Sequence, residues 1–206
     1  MRIKKLKKGF EKLTKEKARI IAHLMGDGAH YLTKHSYNLK YEVRDEESLK
    51  EFNDDLIKVY GLEPSWFWNT SGITGKPIKF VLLRSKLAFE DLLRYATYFS
   101  KDWHIKTPII KSSKAIKREF LRAFCDDEGS IFKNKKQGIV RIYSINLNGL
   151  KQIQKMLMEF KIFGRIYSGY GLKRNVYGLV IYDIRSFCEQ IGFNLKRKQE
   201  KLERFI

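Results

Sequence analysis

The chain has 206 residues, is 43% hydrophobic and contains three prolines, which gives it the apolar mass to bury a core and argues against disorder. Forty-two Lys and Arg stand against 23 Asp and Glu, a net charge of +19; that balance points to a polyanionic partner rather than to a small-metabolite enzyme. Cys125 and Cys188, the two cysteines, are too few for a disulfide scaffold, a four-thiolate zinc site or an iron–sulfur cluster. No stretch approaches the ~20 apolar residues of a membrane span, and the basic start lacks the apolar core of a secretory signal. The expectation is an intracellular protein, cytoplasmic or organellar, with no membrane partner.

Residues 14–26 predict a helix with Ile20, Ile21 and Leu24 inward, closed by Gly26 and Gly28. Over residues 37–44, Leu39, Tyr41 and Val43 alternate with Asn38, Lys40, Glu42 and Arg44, the pattern of a half-buried strand with one polar, basic face. An amphipathic helix follows, with Asp45 as N-cap candidate and Leu49, Phe52 and Leu56 inward. A second ribbon joins residues 66–69 to 79–84, and a helix is predicted over 87–98. Residues 105–114, with Pro108, read as a linker.

Beyond the linker the same order recurs. A shift of 101 residues brings Ala22 onto Ala123, Asp27 onto Glu128, Gly28 onto Gly129, Lys40 onto Arg141 and Leu56 onto Leu157; a shift of 98 then matches Val81 to Leu179 and Phe89 to Phe187. The second copy predicts a helix ending at Gly129, a strand with Val140, Ile142 and Ser144 inward, a helix opened by Asn146, a ribbon of 165–170 with 176–182, and helices at 184–191 and from Lys196 onward. The units are therefore 14–104 and 115–206.

Asp27 and Glu128 are the informative pair. Each sits in the last turn of a helix, where the macrodipole disfavours a carboxylate by several tenths to ~1 kcal/mol. If Ala22, Gly26 and Ala123 let the two helices pack closely, both carboxylates meet at one end of the interface and require a cation. All-oxygen ligation favours Mg²⁺, with Mn²⁺ or Ca²⁺ as alternatives of similar hardness, over zinc.

Ile20-Ile-Ala-His-Leu-Met-Gly-Asp-Gly28 and Leu121-Arg-Ala-Phe-Cys-Asp-Asp-Glu-Gly129 resemble the two signature helices of a LAGLIDADG homing endonuclease of the single-chain, two-motif type. The segment 191–202 resembles the family's C-terminal basic motif. The resemblance implies an α+β fold: two pseudo-symmetric αββαββα units whose saddle-shaped antiparallel sheets pack around two central LAGLIDADG helices. It further implies that Asp27 and Glu128 hold divalent metal, assisted by the main-chain carbonyls of Gly26 and Asp127. The family also sets a lysine beside each scissile phosphate; the matching segments offer Lys196 in the second copy and, on a looser alignment, Lys106 in the first.

The second motif departs from the pattern by carrying Asp127 at a position that is small in the first. Asp127 and its neighbour Asp126 are read as supporting the metal site or as solvated, not as direct side-chain ligands, and His23 as a packed histidine. Arg44 falls where the family often has a polar, water-positioning residue; Ile145 cannot do that job in the second copy, which leaves Ser144 as its candidate. The ribbons offer Lys40, Glu42, Arg44, Arg141 and Tyr143 on one face, with Lys34, Lys79, Arg84, Lys133, Lys135, Lys136, Arg165, Tyr167, Lys173 and Arg174 at strand ends and loops. A basic two-stranded ribbon fits the major groove, where Arg and Lys read guanine, and Asn, Gln and Glu read adenine or cytosine.

The expectation is a monomeric, Mg²⁺-dependent endonuclease that cuts both strands of double-stranded DNA at one long, asymmetric site. An RNA maturase acting on its own intron and a noncatalytic DNA-binding regulator are the alternatives. No intein splicing segments flank the repeats, which favours a free-standing or intron-encoded enzyme.

Overall fold

The computed structural model describes residues 7–72, 75–134, 137–172 and 174–206. Helix α1 (Lys15–Met25) starts where the Thr14 side chain accepts the Lys17 amide at 3.2 Å. Its Ile20, Ile21 and Leu24 are fully buried. The first half continues through β1 (Gly28–Leu32), β2 (Tyr37–Glu42), α2 (Glu46–Tyr60), β3 (Ser65–Thr70), β4 (Pro77–Arg84) and α3 (Lys86–Leu92). After a small hairpin of β5 (Ala96–Thr97) with β6 (His104–Ile105) and a short helix α4 (Thr107–Ile110), the pattern repeats. The second half comprises α5 (Lys114–Glu128), β7 (Gly129–Asn134), β8 (Gln137–Ser144), α6 (Leu147–Met158), β9 (Gly164–Tyr170), β10 (Val176–Ile181), α7 (Ile184–Gln190) and α8 (Lys196–Glu203).

The two four-stranded antiparallel sheets have the same order, β1-β2-β4-β3 and β7-β8-β10-β9. Strand alternation gives each sheet one core face and one open face. On the core faces, Leu39, Tyr41, Val81, Val140, Ile142 and Leu179 are fully buried against the helices. Helices α1 and α5 pack along each other at the centre, with Ala22, Ala123, Phe120, Leu121 and Phe124 excluded from solvent. Losing one such Leu or Phe side chain to alanine costs about 2–5 kcal/mol.

That central interface is also ionic. Arg19 on α1 binds Asp55 of α2 through Nε at 2.8 Å and Nη2 at 2.6 Å, and reaches Glu119 of α5 at 2.7 Å. One guanidinium therefore ties three helices, using the forked geometry that lysine lacks.

One expected element differs. The helix expected over 87–98 ends at Leu92, because Tyr95 and Ala96 are drawn into the core. The Tyr95 carbonyl accepts the Lys106 amide at 2.8 Å, its hydroxyl donates to the Glu11 carbonyl at 2.5 Å, and Ala96 pairs with Ile105. The stretch 105–114, read as the linker, carries structure of its own: it ends β6, forms α4 with Pro108 in its first turn, and buries Ile105 and Ile109 completely.

Candidate active site at the paired helix ends

Both central helices terminate in the sequence acid-glycine, and the structure explains the glycines. The chain turns back so tightly that a Cβ on Gly28 would lie 2.6 Å from the His23 carbonyl oxygen, and one on Gly129 would lie 2.5 Å from that of Cys125. Each acid is thereby fixed between the last helical turn and the first residue of a strand.

Across the interface, Asp127 faces Gly26: a Cβ at Gly26 would lie 2.6 Å from Asp127 Oδ2. The Asp127 carboxylate points inward, not to solvent. It accepts the Tyr41 hydroxyl at 2.5 Å, His23 Nδ1 at 3.1 Å and the Asp27 amide at 3.4 Å. The other imidazole nitrogen of His23 lies 3.4 Å from Glu51 Oε1. Burial alone would lower the His23 pKa, but the Asp127 and Glu51 carboxylates override it and raise the pKa to about 10. His23 is therefore an imidazolium packed between two carboxylates. It is packed as the sequence suggested, and charged, which the sequence did not indicate.

Asp126 looks the other way. Its carboxylate accepts the amides of Asn194 and Leu195, each at 3.1 Å, and so holds the turn that leads into α8. From α8, the buried Lys198 ammonium donates to the carbonyls of Asp126 at 2.5 Å and Gly129 at 2.6 Å, and lies 3.5 Å from that of Cys125. A cation on the last carbonyls of α5 offsets the negative end of the helix dipole where three acids stand in a row. Next to it, Arg197 binds Asp45 bidentately at 2.8 and 2.6 Å. Asp45 occupies the N-cap position of α2 without capping it, because its carboxylate is engaged by Arg197.

Two cavities open at the paired helix ends. One, of about 310 Å³, contains Asp27 with Glu42, Arg44, Asp126, Asp127, Arg197 and Lys198. The other, of about 240 Å³, contains Glu128 with Gly26, Ser100, Trp103, Tyr143, Ser144 and Ile145. Burial, reinforced by the Asp127 charge, raises Asp27 to about 6; burial, with Asp27 and Asp127, raises Glu128 to about 8. Burial likewise lifts Asp126 to about 7 against its two amide donors. Burial and neighbouring carboxylates thus disfavour the charged form of both acids, the setting in which a nearby cation would be favourable. Among the described residues no three His, Cys, Asp or Glu side chains converge as a ready metal cage. The Asp27 cavity is lined by the carboxylates of Asp27, Glu42, Asp45, Asp126 and Asp127, and the Glu128 cavity by that of Glu128. Carboxylate and carbonyl oxygens of this kind are donors that suit hard divalent cations over softer metals.

The candidate lysines fall outside these cavities. Lys196 is exposed on α8 and pairs loosely with Glu200 at 3.9 Å; Lys198, two residues on, is the one that lines the Asp27 cavity. Its signal was available: Lys198 and Leu202 share the inward face of α8. Lys106 donates to the Leu93 carbonyl at 2.5 Å and does not line the Glu128 cavity. Arg44 lines the Asp27 cavity and Ser144 the Glu128 cavity.

On the open sheet faces, register places Lys40, Glu42, Arg84 and Phe67 together on the first sheet, and Arg141, Tyr143, Arg165 and Tyr167 on the second. Lys40 is ion-paired to Glu42. At the equivalent place in the second sheet, the Arg141 guanidinium lies between Phe132 at 4.9 Å and Tyr170 at 4.8 Å, and donates to the Tyr143 hydroxyl at 3.0 Å. Lys79 points to the opposite side of its sheet, where it pairs with Glu46 of α2. Lys133 likewise has the core-face parity of Ile131 and sits at a strand end. Lys34 and Arg174 are exposed in the β1–β2 and β9–β10 turns. Lys135, Lys136 and Lys173 lie outside the described residues.

Comparison with known proteins bears on this architecture. Residues 115–192 match the LAGLIDADG-like domain family. The chain is 28% identical to the DNA-directed RNA polymerase subunit Rpo1N of Methanocaldococcus jannaschii, over 91% of this chain and 16% of that protein. It is 22% identical to the uncharacterized protein MJ0398 of the same organism, over 91% of this chain and 70% of that one. It thus spans only about a sixth of the polymerase subunit. Among solved structures, variants of the homing endonuclease I-DmoI superpose with a TM-score of 0.65 at 16% identity, covering 92% of this chain and 97% of theirs. The homing endonuclease I-WcaI bound to its DNA recognition sequence gives 0.66 at 14% identity, covering 92% and 87%. The N-terminal LAGLIDADG domain of DUF199/WhiA gives 0.56 at 18% identity, covering 94% and 88%. The chain therefore carries a LAGLIDADG-like domain and has the α+β fold of the single-chain, two-motif LAGLIDADG homing endonucleases.

Proposed function

We propose that this chain is a site-specific endonuclease that hydrolyses both strands of double-stranded DNA with divalent metal, Mg²⁺ in the cell. The observation that carries the reading is the pair Asp27 and Glu128. Two carboxylates with raised pKa values stand at the joined ends of buried helices, between two open sheet faces. I-DmoI has been solved with DNA and Mn and with DNA and Ca, in keeping with hard-cation chemistry on this fold.

In this reading the open sheet faces lie along the major groove. Arg84 and Arg165 contact phosphates and fix the register, while Lys40, Glu42, Arg141 and Tyr143 meet base edges. The DNA then presents one phosphodiester to each cavity. Asp27 and Glu128, with the Gly26 and Asp127 carbonyls, would hold the ions. A bound divalent ion lowers the pKa of its water and stabilises charge on the phosphoryl group and leaving oxygen. Lys198 holds the end of α5, and with it the Asp127 carbonyl, in position. Arg44 places positive charge at the mouth of the Asp27 cavity. Because both motif helices are already paired within one chain, the protein is a monomer.

The test is recovery of cleaved duplexes from a randomised library in Mg²⁺, with a chelator control, together with sedimentation of the free protein. A single recovered sequence, cut only with metal by a 24.4 kDa species, is the expected result. Recovery of bound but uncut duplexes would make the chain a DNA-binding protein without nuclease activity, and a stable dimer would contradict the monomer.

A further inference from the structure

The internal repeat sets Lys40 of the first sheet against Arg141 of the second, and Glu42 against Tyr143. The two cations are placed alike and surrounded differently. Lys40 is ion-paired to Glu42 and lies over the Phe80 ring at 4.4 Å. Arg141 has a neutral phenol, Tyr143, in place of that carboxylate, and the rings of Phe132 and Tyr170 lie against its guanidinium. A recess of about 410 Å³ opens on this face, lined by Phe132, Ile139, Arg141, Tyr167, Tyr170 and Tyr182.

The backbone is shaped to build this recess. Tyr167 pairs with Gly178 but Tyr170 with Val176, so β9 holds one residue more than β10 over this stretch. Residues three apart on a regular strand face opposite sides; the bulge, with Gly169 at φ 91°, returns Tyr170 to the side of Tyr167. Gly178 then leaves room for it, since a Cβ there would lie 2.8 Å from Tyr170 Cε2 and 3.3 Å from Arg141 Cδ. Arg141 Nη1 donates to the Tyr143 hydroxyl at 3.0 Å, and Nε is buried with no partner among the described residues. That leaves the Nη1 and Nη2 end of the guanidinium for the O6 and N7 of a guanine.

A guanidinium bonded end-on to guanine lies in the plane of that base. A ring packed on its face then sits at the level of the neighbouring base pair, about 3.4 Å along the axis. Phe132 is such a ring: its centroid is 4.9 Å from Arg141 Cζ, it is 38% exposed, and it carries no polar atom. A polar edge group covered by it loses water and gains no hydrogen bond. The C5 methyl of thymine, the apolar group on the major-groove edges, gains a dry contact instead. We propose that Arg141 and Phe132 together read a step of two base pairs: a guanine, and beside it a pair whose C5 methyl packs on the Phe132 ring. The methyl is a specificity element of the half-site under the second sheet, and 5-methylcytosine supplies it as thymine does. This inference rests on the placing of that sheet face in the major groove, and adds which bases it selects there.

The experiment uses the full chain and duplexes selected for binding from a randomised library in Ca²⁺, so that the readout does not depend on cleavage. The guanine is located as the position that Arg141→Lys relaxes, and a T·A pair should stand beside it. Deoxyuridine in place of that thymine removes the methyl alone and should weaken binding about fourfold, the worth of one buried methyl. With the pair changed to C·G, methylation of the cytosine at C5 should recover about fourfold. Phe132→Ala should bind the thymine and deoxyuridine duplexes equally; the ratio of two affinities is read, so a general loss of stability does not imitate this result. Four outcomes would overturn the methyl contact while leaving the nuclease assignment intact: equal binding of the two duplexes by the unsubstituted protein, a ratio unaltered by Phe132→Ala, a guanine with C·G pairs on both sides, or no position relaxed by Arg141→Lys. Failure to cut a duplex that shows the methyl effect would overturn the nuclease assignment and leave the contact standing. Recovery of no duplex would overturn both.

Discussion

Replacing His23 with Gln removes the cation that faces the buried Asp127 carboxylate, and the resulting loss of stability carries a definite pH signature. His23 rises from an ordinary value of 6.5 to about 10 on folding. Since the folded value is the higher one, the stabilisation is complete below pH 6.5 and is lost as pH climbs through 10. The gap, at about 1.36 kcal/mol per pH unit, amounts to roughly 5 kcal/mol. Removing one partner from a buried ion pair costs about 3–5 kcal/mol by mutational precedent. The lower end is expected here, because the Tyr41 hydroxyl and the Asp27 amide still hold Asp127. Urea denaturation of wild type and His23→Gln at matched pH values reads the effect, and the difference between the two cancels the titration of lysines and tyrosines common to both. The difference should be about 3 kcal/mol at pH 6.5 and should shrink toward zero beyond pH 10. A difference that does not vary with pH, or one below about 1 kcal/mol at pH 6.5, would refute the buried imidazolium.

Gly26→Ala places a methyl group 2.6 Å from Asp127 Oδ2; it should destabilise the protein by about 1–3 kcal/mol in the same urea assay, and a cost under about 0.5 kcal/mol would contradict the close approach. Arg141→Lys should relax selection at one guanine position by tenfold or more, the scale of a lost bidentate base contact of about 1–3 kcal/mol; an unaltered selected sequence would remove Arg141 as a base reader. Lys198→Met should slow cleavage by about 10²-fold and lower the melting temperature, whereas Lys196→Met should alter cleavage by no more than about twofold. The reverse order would restore Lys196 as the lysine that matters.

The repeat, the motif helices and the strand faces were legible because each is a local pattern: Asp27-Gly28 and Glu128-Gly129 at helix ends, and Leu39 and Tyr41 alternating with Lys40 and Glu42. What stayed hidden was set by contacts between distant segments. Asp127 is separated from Tyr41 by 86 residues and from His23 by 104, so no spacing rule could show that the extra acid of the second motif faces a histidine of the first. The helix expected to reach Tyr98 stops at Leu92 because Tyr95 is bonded to Glu11 and Lys106, a tertiary pull that overrides local propensity. Lys79 and Lys40 both look like ribbon lysines. Only the register, which pairs Lys79 with Trp68 and Lys40 with Leu82, separates the side toward α2 from the open face. That Lys198, two residues beyond the Lys196 offered by the motif, faces the Asp27 cavity follows from which side of α8 meets α5, whose last carbonyls accept the Lys198 ammonium.

The central claim is that Asp27 and Glu128 hold the metal that cuts DNA. Its most direct measurement compares wild type, Asp27→Asn and Glu128→Gln on the recovered duplex, with cleavage followed in Mg²⁺ and affinity in Ca²⁺. The amides keep the shape of the side chains and give up the charge that holds a cation. Each variant should bind within a few-fold of wild type and lose cleavage by about 10²-fold or more, as wild type should in the presence of a chelator. Cleavage by either variant at the wild-type rate, or by wild type without metal, would contradict the account.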